Sequence, residues 1–410
     1  MISGMRFSIT GCLLAAVLCA SAHAGESPAP AGGDAVLGAV IDGVDVKIFI
    51  PEDAKVVRGA IVHAAHYTLN PQDRWSETCR VLRFANVALN IDLKTTNRPT
   101  KLRKGLDEGL RKFAAESGHA ELVNLPLAGT GHSAGGMVSA TLLKTPERTL
   151  TNAVSCGWIA DPEKMAPDAQ AVPFVFTLGA IPDDFKMLPG IEANFVPARK
   201  KGLPWGLAVQ WGIAHDFGNS ATLFVPWMIA VAEARIPKDW DPRSGPPQLR
   251  AMRQEDGWLG DRASVEGNFA TVAAWADYRG DKTLATWLPS RAVALVWRAI
   301  MSKEPPVVLE AAAADGATLG AWNPKAERGM MVSPGAEIVL SAGVRDGTAV
   351  SKVEFFDGDL LLGAATQAPW KFVWKNAAQG PHAVFAQWTG PDKKPGVTSP
   401  ALIVVRKRAK

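Results

Sequence analysis

Leu125-Pro126-Leu127-Ala128-Gly129-Thr130-Gly131-His132-Ser133-Ala134-Gly135-Gly136 decides the fold. Leu125 to Thr130 is a short apolar run, as expected of a buried strand in a parallel sheet. Ala134 to Leu143 carries a helical pattern. The G-x-S-x-G spacing between them fits a sharp strand-to-helix turn that lifts the Ser133 hydroxyl out of the sheet. Side chains two positions either side of the serine would run into neighbouring backbone, so Gly131 and Gly135 stand there. The hydroxyl then lies at a helix N-terminus, where backbone N–H groups favour negative charge.

Working outward, strand patterns alternate with helical ones. Val36 to Ile50 reads as two strands turning at Asp42-Gly43. Gly59 to Ala65 is a continuous apolar run, Asp73 to Phe84 a helix, and Val87 to Ile91 a strand. A polar loop with Lys94, Arg98, Lys101, Arg103 and Lys104 precedes a helix from Leu106 to Glu116. Val154 to Ile159, Val172 to Leu178 and Leu207 to Gly212 are three more strands. Such alternation predicts an α/β class: a mostly parallel sheet with helices on both faces. Residues 221–303 show helices at 221–234, 268–278 and 289–302 and no strand, so a helical tail packed on the sheet, or a lid over the site, is expected. From Pro305 the pattern changes to short strands with period-2 alternation, at 337–342, 352–356, 360–363 and 383–388. That predicts a small all-β sandwich over 305–406.

A serine nucleophile needs a base, and the base needs an orienting carboxylate. The run Pro173 to Gly179 leads into Ala180-Ile181-Pro182-Asp183-Asp184, an acid just past a strand end. Trp211-Gly212-Ile213-Ala214-His215-Asp216-Phe217-Gly218 puts a histidine in a short loop after the last strand. The expected set is therefore Ser133, Asp183 and His215, in the order nucleophile, acid, histidine. Asp184 is the alternative acid, and Asp161 stands outside both. The backbone N–H groups of Tyr67 and Ala134 are the candidate oxyanion donors. His63 and His66 form an H-x-x-H pair, for which zinc ligation is the rival reading, although no clear third ligand lies near. No metal and no organic cofactor is expected.

Composition bounds the rest. Hydrophobic residues make up 47 % of 410 positions and charged residues 20 %, the mix of a folded chain. A net charge of +4 over this length gives no basic face for nucleic acid. The 14 Trp against 2 Tyr are read chiefly as core. Residues 1–24 hold Arg6, a short apolar run from Leu13 to Leu18 and an Ala22-His23-Ala24 end, the pattern of a cleaved secretory signal peptide. Residues 25–35 form a flexible leader. No later segment has the length and apolarity to span a membrane, so a secreted or periplasmic protein is expected. Cys79 and Cys156 remain after cleavage, as a disulfide or as two buried thiols.

With Gly131-His132-Ser133-Ala134-Gly135-Gly136 and His215-Asp216-Phe217-Gly218 in place, residues 36–303 resemble a secreted bacterial α/β-hydrolase-fold serine esterase. Residues 305–406 resemble a bacterial immunoglobulin-like (Ig-like) module, on Val353-Glu354-Phe355-Phe356-Asp357-Gly358, Leu362-Gly363, Ala368-Pro369-Trp370, Trp374 and Gly380-Pro381-His382. The resemblance implies cleavage of carboxylic esters, small or polymer-linked, including polysaccharide-linked or aromatic acid esters. It implies a second module that contacts a polymer or another protein. The same triad on the same fold also serves peptidases and amidases. A catalytically silent adhesin is the third reading.

Overall fold

The computed structural model describes residues 34–181, 185–262, 269–320, 328–345 and 347–406. The expected signal peptide and most of the leader lie outside the described residues, as do Asp183 and Asp184. The described residues from Asp34 to Arg406 pack as one compact unit.

The hairpin opens the fold. β1 (Ala35–Ile41) and β2 (Val44–Ile50) pair antiparallel around Asp42 and Gly43, with φ of 49° and 77°. Positive φ at both turn residues gives the turn twist that matches paired strands. β3 (Gly59–Ala65), α1 (Ser76–Leu82), β4 (Phe84–Asn90), α2 (Arg98–Ser117), β5 (Leu127–His132), α3 (Met137–Leu142), β6 (Thr149–Ser155), α4 (Pro167–Gln170), β7 (Phe174–Gly179), α5 (Leu188–Lys200), β8 (Trp205–Gln210) and α6 (Ser220–Arg235) follow. The eight strands form one sheet in the order β1-β2-β4-β3-β5-β6-β7-β8. Every pair from β4·β3 to β7·β8 is parallel. This is the α/β-hydrolase fold, and it places the loops after β3, β5, β6, β7 and β8 along one edge.

Several elements differ from the sequence expectation. α2 begins at Arg98, so most of the expected basic loop is helical. Asn97 in the left-handed region and a proline in the first turn start the helix there. Its cations are partly spent: Arg103 on Asp107 at 2.7 Å and Lys104 on Asp42 at 3.3 Å. β6 occupies Thr149–Ser155 rather than 154–159. Its polar residues disguise a fully buried strand. The Thr151 hydroxyl donates to Pro173 O at 2.8 Å and accepts from Trp227 Nε1 at 2.8 Å, so burial leaves it satisfied. α5, with Pro197 inside it, had no clear sequence signal.

The tail is not all helical. β9 (Trp258–Gly260), β10 (Val272–Ala274) and β11 (Thr286–Leu288) form a small antiparallel sheet in the order β10-β9-β11, ahead of α7 (Arg291–Ile300). Three-residue strands are too short to show a period. Two fully buried side chains tie the tail to β8: Trp297 Nε1 donates to Leu207 O at 2.8 Å and Thr286 Oγ1 to the same oxygen at 3.0 Å. Arg199 on α5, 1 % exposed, donates to Ala285 O, Lys282 O, Leu203 O and Gln254 Oε1. With no carboxylate among these partners, burial pulls its pKa down to about 10.

The C-terminal part is a β-sandwich. One sheet is β12 (Val307–Ala313), β14 (Ile338–Val344) and β17 (Lys371–Trp374). The other runs β13 (Gly329–Val332), β20 (Ala401–Val405), β18 (Gly380–Thr389), β15 (Lys352–Asp357), β16 (Leu360–Ala365), with β19 (Pro395–Val397) paired to β18. Leu309, Val332, Leu340, Phe355 and Ile403 fill its core. A second apolar layer joins it to the hydrolase sheet. Phe385, Val397 and Leu402 belong to one buried cluster with Trp75, Phe224 and Val225. Trp205, Trp227, Trp287 and Trp297 are fully buried, in line with the core reading of tryptophan.

Candidate active site

The turn after β5 carries Ser133 at φ +52°, a left-handed conformation that costs a non-glycine residue about 1–3 kcal/mol. The flanking glycines are required by space. A Cβ on Gly131 would lie 2.3 Å from Gly135 O, and one on Gly135 would lie 2.2 Å from Ala64 O. The turn is thus pressed against the end of β3, where Ala64 pairs with Gly131. The loop carrying His66 and Tyr67 follows directly.

His215 lies in the loop between β8 and α6. Its Nε2 is 2.7 Å from Ser133 Oγ, within hydrogen-bonding distance. The histidine is exposed and the serine half-buried, so a ligand reaches both from solvent. The strand that leads toward the expected acid is zipped to this loop. Ala180 N donates to Gln210 O at 3.0 Å and Ile181 N to Ile213 O at 2.9 Å. Gly179 permits the contact, since a Cβ there would meet Ala214 O at 2.2 Å. Asp183 and Asp184 follow Ile181 by two and three residues, outside the described residues. Asp161 is engaged elsewhere. Its carboxylate accepts from Lys164 at 2.8 Å and from Glu163 N at 3.0 Å, and these contacts hold its pKa below the usual value.

The two histidines of the H-x-x-H pair have different partners. His63 is 5 % exposed and its Nδ1 is 3.2 Å from Asp73 Oδ2. Burial pulls its pKa down against the opposing pull of Asp73. Asp73 Oδ1 also accepts from Trp75 N and from Asn86 Nδ2, both at 2.9 Å. The pair is a brace under the loop after β3. His66 is exposed and meets the Tyr67 ring edge-on at 5.3 Å.

Two groups near the serine were not singled out from the sequence. His132 precedes it, with its ring centroid 5.0 Å from that of His215. Cys156 follows β6 in a left-handed conformation, φ +48°, and is buried. Donor atoms of His132, Cys156 and His215 all lie within 4.8 Å of one another, and among the described residues this is the set placed to hold a cation. Cys156 and Cys79 are separate buried thiols, not a disulfide. Nothing in their spacing marked either role. The loops at this edge also expose apolar side chains: Tyr67, Trp158, Ile181, Phe185 and Met187. The backbone N of Trp158 would lie 2.7 Å from a Cβ on Gly136, so the backbone at this residue stands close to the serine turn.

Residues 326–386 match the family model described as a bacterial Ig domain. Among solved structures, the chain is similar to MGS-M1, an α/β-hydrolase enzyme from a Medee basin deep-sea metagenome library. Identity is 12 %, the match covers 49 % of this chain and 99 % of that one, and the TM-score is 0.38. It is also similar to Thermogutta terrifontis esterase 2 phosphorylated by paraoxon, at 18 % identity over 47 % of this chain and 88 % of that one, TM-score 0.32. Fibronectin(III)-like modules of Clostridium thermocellum CbhA match 24 % of this chain and 99 % of theirs, at 25 % identity and TM-score 0.20. No curated protein gives a significant match. Among the described residues no helix is long and apolar enough to cross a membrane.

Proposed function

We propose that the protein is a secreted serine hydrolase that cleaves carboxylic esters through an acyl-enzyme. The observation that carries this reading is the 2.7 Å contact between His215 Nε2 and Ser133 Oγ, made by a serine in a strained turn after a central strand. His215 takes the Ser133 proton as the hydroxyl attacks the ester carbonyl. Asp183, with Asp184 as the alternative, orients the imidazole and stabilises its charged form. The Tyr67 and Ala134 amides stabilise the tetrahedral oxyanion. Protonated His215 gives its proton to the leaving alcohol. Water, activated by the same histidine, then releases the acid and restores Ser133. Neither a metal nor an organic cofactor is assigned a step.

The exposed apolar side chains of the loops at this edge, Tyr67 and Trp158 first among them, support an ester with an aromatic or otherwise apolar part. The signal-peptide pattern read in residues 1–24 supports action outside the cytoplasm, and the Ig-like module supports contact with a polymer or protein. The test is turnover of p-nitrophenyl acetate, butyrate and decanoate by wild type and Ser133→Ala, beside labelling by a fluorophosphonate probe. Loss of at least about 1000-fold in kcat in a folded Ser133→Ala protein is expected. Comparable turnover in the variant sinks the assignment. Probe labelling without ester turnover points to the peptidase alternative or to a narrow natural ester, and neither signal points to the adhesin.

A further inference from the structure

We propose that the Ig-like module is a positioning part of the catalytic site, acting through Asn219 on the loop that carries His215. The inference rests on the triad reading above. Asn219 is the N-cap residue of α6, four positions after His215. An N-cap asparagine ordinarily spends its side chain on the first amides of its own helix. This one makes no cap hydrogen bond. Its amide crosses instead to the sandwich: Nδ2 donates to Pro400 O at 2.7 Å, and Oδ1 accepts from Arg328 N at 3.1 Å.

The place it reaches is specific. Arg328 and Pro400 immediately precede β13 and β20, which pair in parallel. Leu402 N already donates to Arg328 O at 2.9 Å. The Asn219 amide therefore caps the open end of that ladder with both a donor and an acceptor. Arg328 is itself anchored, its guanidinium donating to Ser399 O and Leu309 O. The module side of the link is fixed.

The hydrolase side is fixed as well. Asn219 N donates to Gln210 Oε1 at 2.7 Å, and Gln210 Nε2 donates to Ser220 Oγ at 2.9 Å and to Phe217 O at 3.3 Å. Gln210 is the last residue of β8. The His215 loop is thus a short arch. One foot is β8 and the other is Asn219, which the module grips. Phe217 within the arch sits under the Arg74 guanidinium at 4.3 Å and edge-on to Trp75 at 6.2 Å. Loss of the module's grip leaves this foot held by Gln210 alone, which loosens the imidazole against Ser133 and leaves the other loops of the site in place. That pattern lowers kcat and leaves KM alone.

Asn219→Ser tests this, because serine keeps an N-cap side chain but cannot span to Pro400 and Arg328. Asn219→Asp keeps the acceptor and loses the donor. A matched control is Trp374→Leu, a buried change in the sandwich core on a strand that makes none of the link's hydrogen bonds. The expected result is a kcat at least about tenfold lower in Asn219→Ser, equivalent to ~1.4 kcal/mol. KM stays within about twofold, and fluorophosphonate labelling of Ser133 slows in parallel. Asn219→Asp should fall between, and Trp374→Leu should lower the melting temperature while keeping kcat. Wild-type kcat in a folded Asn219→Ser overturns the inference. So does an equal loss in Trp374→Leu, which would make the effect one of stability alone. If Asn219→Ser does not fold, the same comparison is made on Asn219→Asp. A wild type that neither turns over esters nor reacts with the probe is a failure of the triad reading instead, and takes this inference with it.

Discussion

Gly135→Ala isolates the geometry of the serine turn. The added Cβ would lie 2.2 Å from Ala64 O and 3.3 Å from Ala64 C. A carbon–oxygen pair needs about 1 Å more than the first of these. Something must move by that amount, and both neighbours are backbone. Ala64 is 4 % exposed and paired with Leu89 on one side and Gly131 on the other, so the sheet resists. The turn yields, and it carries Ser133. A shift of about 1 Å takes the 2.7 Å contact with His215 beyond good hydrogen-bond range. Misplacement of that size costs about 100-fold in rate, or ~2.7 kcal/mol of barrier. Overpacking adds ~1–3 kcal/mol of lost stability. The assay is p-nitrophenyl ester turnover beside thermal melts. Gly190→Ala serves as the control, since a Cβ there meets nothing within 4 Å, and it should be neutral or slightly stabilising. A Gly135→Ala enzyme with wild-type melting and turnover within about threefold would refute the space argument.

Three further outcomes follow from buried or clustered groups. His382 Nδ1 is 2.6 Å from Asp357 Oδ2. Burial lowers its pKa, but the Asp357 carboxylate and Ala378 O outweigh this and raise it above the ordinary value. The pair therefore adds stability that is full below an unfolded pKa of about 6.5 and fades as pH rises through the higher folded value. His382→Gln should lose more in melting temperature near about pH 5.5 than near about pH 8.5, and an equal gap at both would contradict the pairing. Arg199→Met leaves the buried Ala285 carbonyl and the half-buried Lys282 carbonyl without their donor, which should cost ~2–4 kcal/mol and speed amide exchange across residues 282–288. Unchanged melting and exchange would rule out the tether. Zinc ions should inhibit turnover by joining His132, Cys156 and His215, whose donor atoms lie within 4.8 Å of one another and match zinc chemistry. A chelator should restore activity, and Cys156→Ser should need more zinc for the same inhibition; equal sensitivity in that variant would exclude the site.

Much of this was legible from residues that obey local rules. Asp42-Gly43 announces its hairpin because few pairs accept two positive φ values. Gly131 and Gly135 announce the serine turn because nothing larger fits. Gly59 to Ala65 is apolar but for His63, as a strand covered on both faces tends to be, and it appears within its expected bounds. Illegible parts share a different cause. Thr149, Thr151 and Asn152 are buried polar residues whose strand character depends on partners far away in the chain. β9, β10 and β11 exist because β8 and α7 pack beside them, not because three residues carry a pattern. The helix start at Arg98 was hidden by charge, since cations on a solvated helix face look like a loop. Asn219 was invisible for the same reason as β6: its meaning lies in Arg328 and Pro400, more than a hundred residues on.

The site itself combines local strain with distant restraint. Ser133 and Cys156 both hold positive φ without being glycine, and each such residue persists only where its surroundings over-determine it. The surroundings here come from every layer of the molecule. Gly135 lies against β3, Gly157 against Ser133 O, and Gly179 against the His215 loop. Asn219 ties that loop to the sandwich. The apolar cluster that includes Trp75, Phe224, Phe385 and Leu402 is continuous across the two parts, so the sandwich cannot swing freely without exposing the helices beneath it. A serine turn of this kind needs a rigid frame. In this chain the frame extends into the second module, which makes the pairing of an α/β-hydrolase sheet with an Ig-like sandwich a mechanical arrangement as well as a modular one.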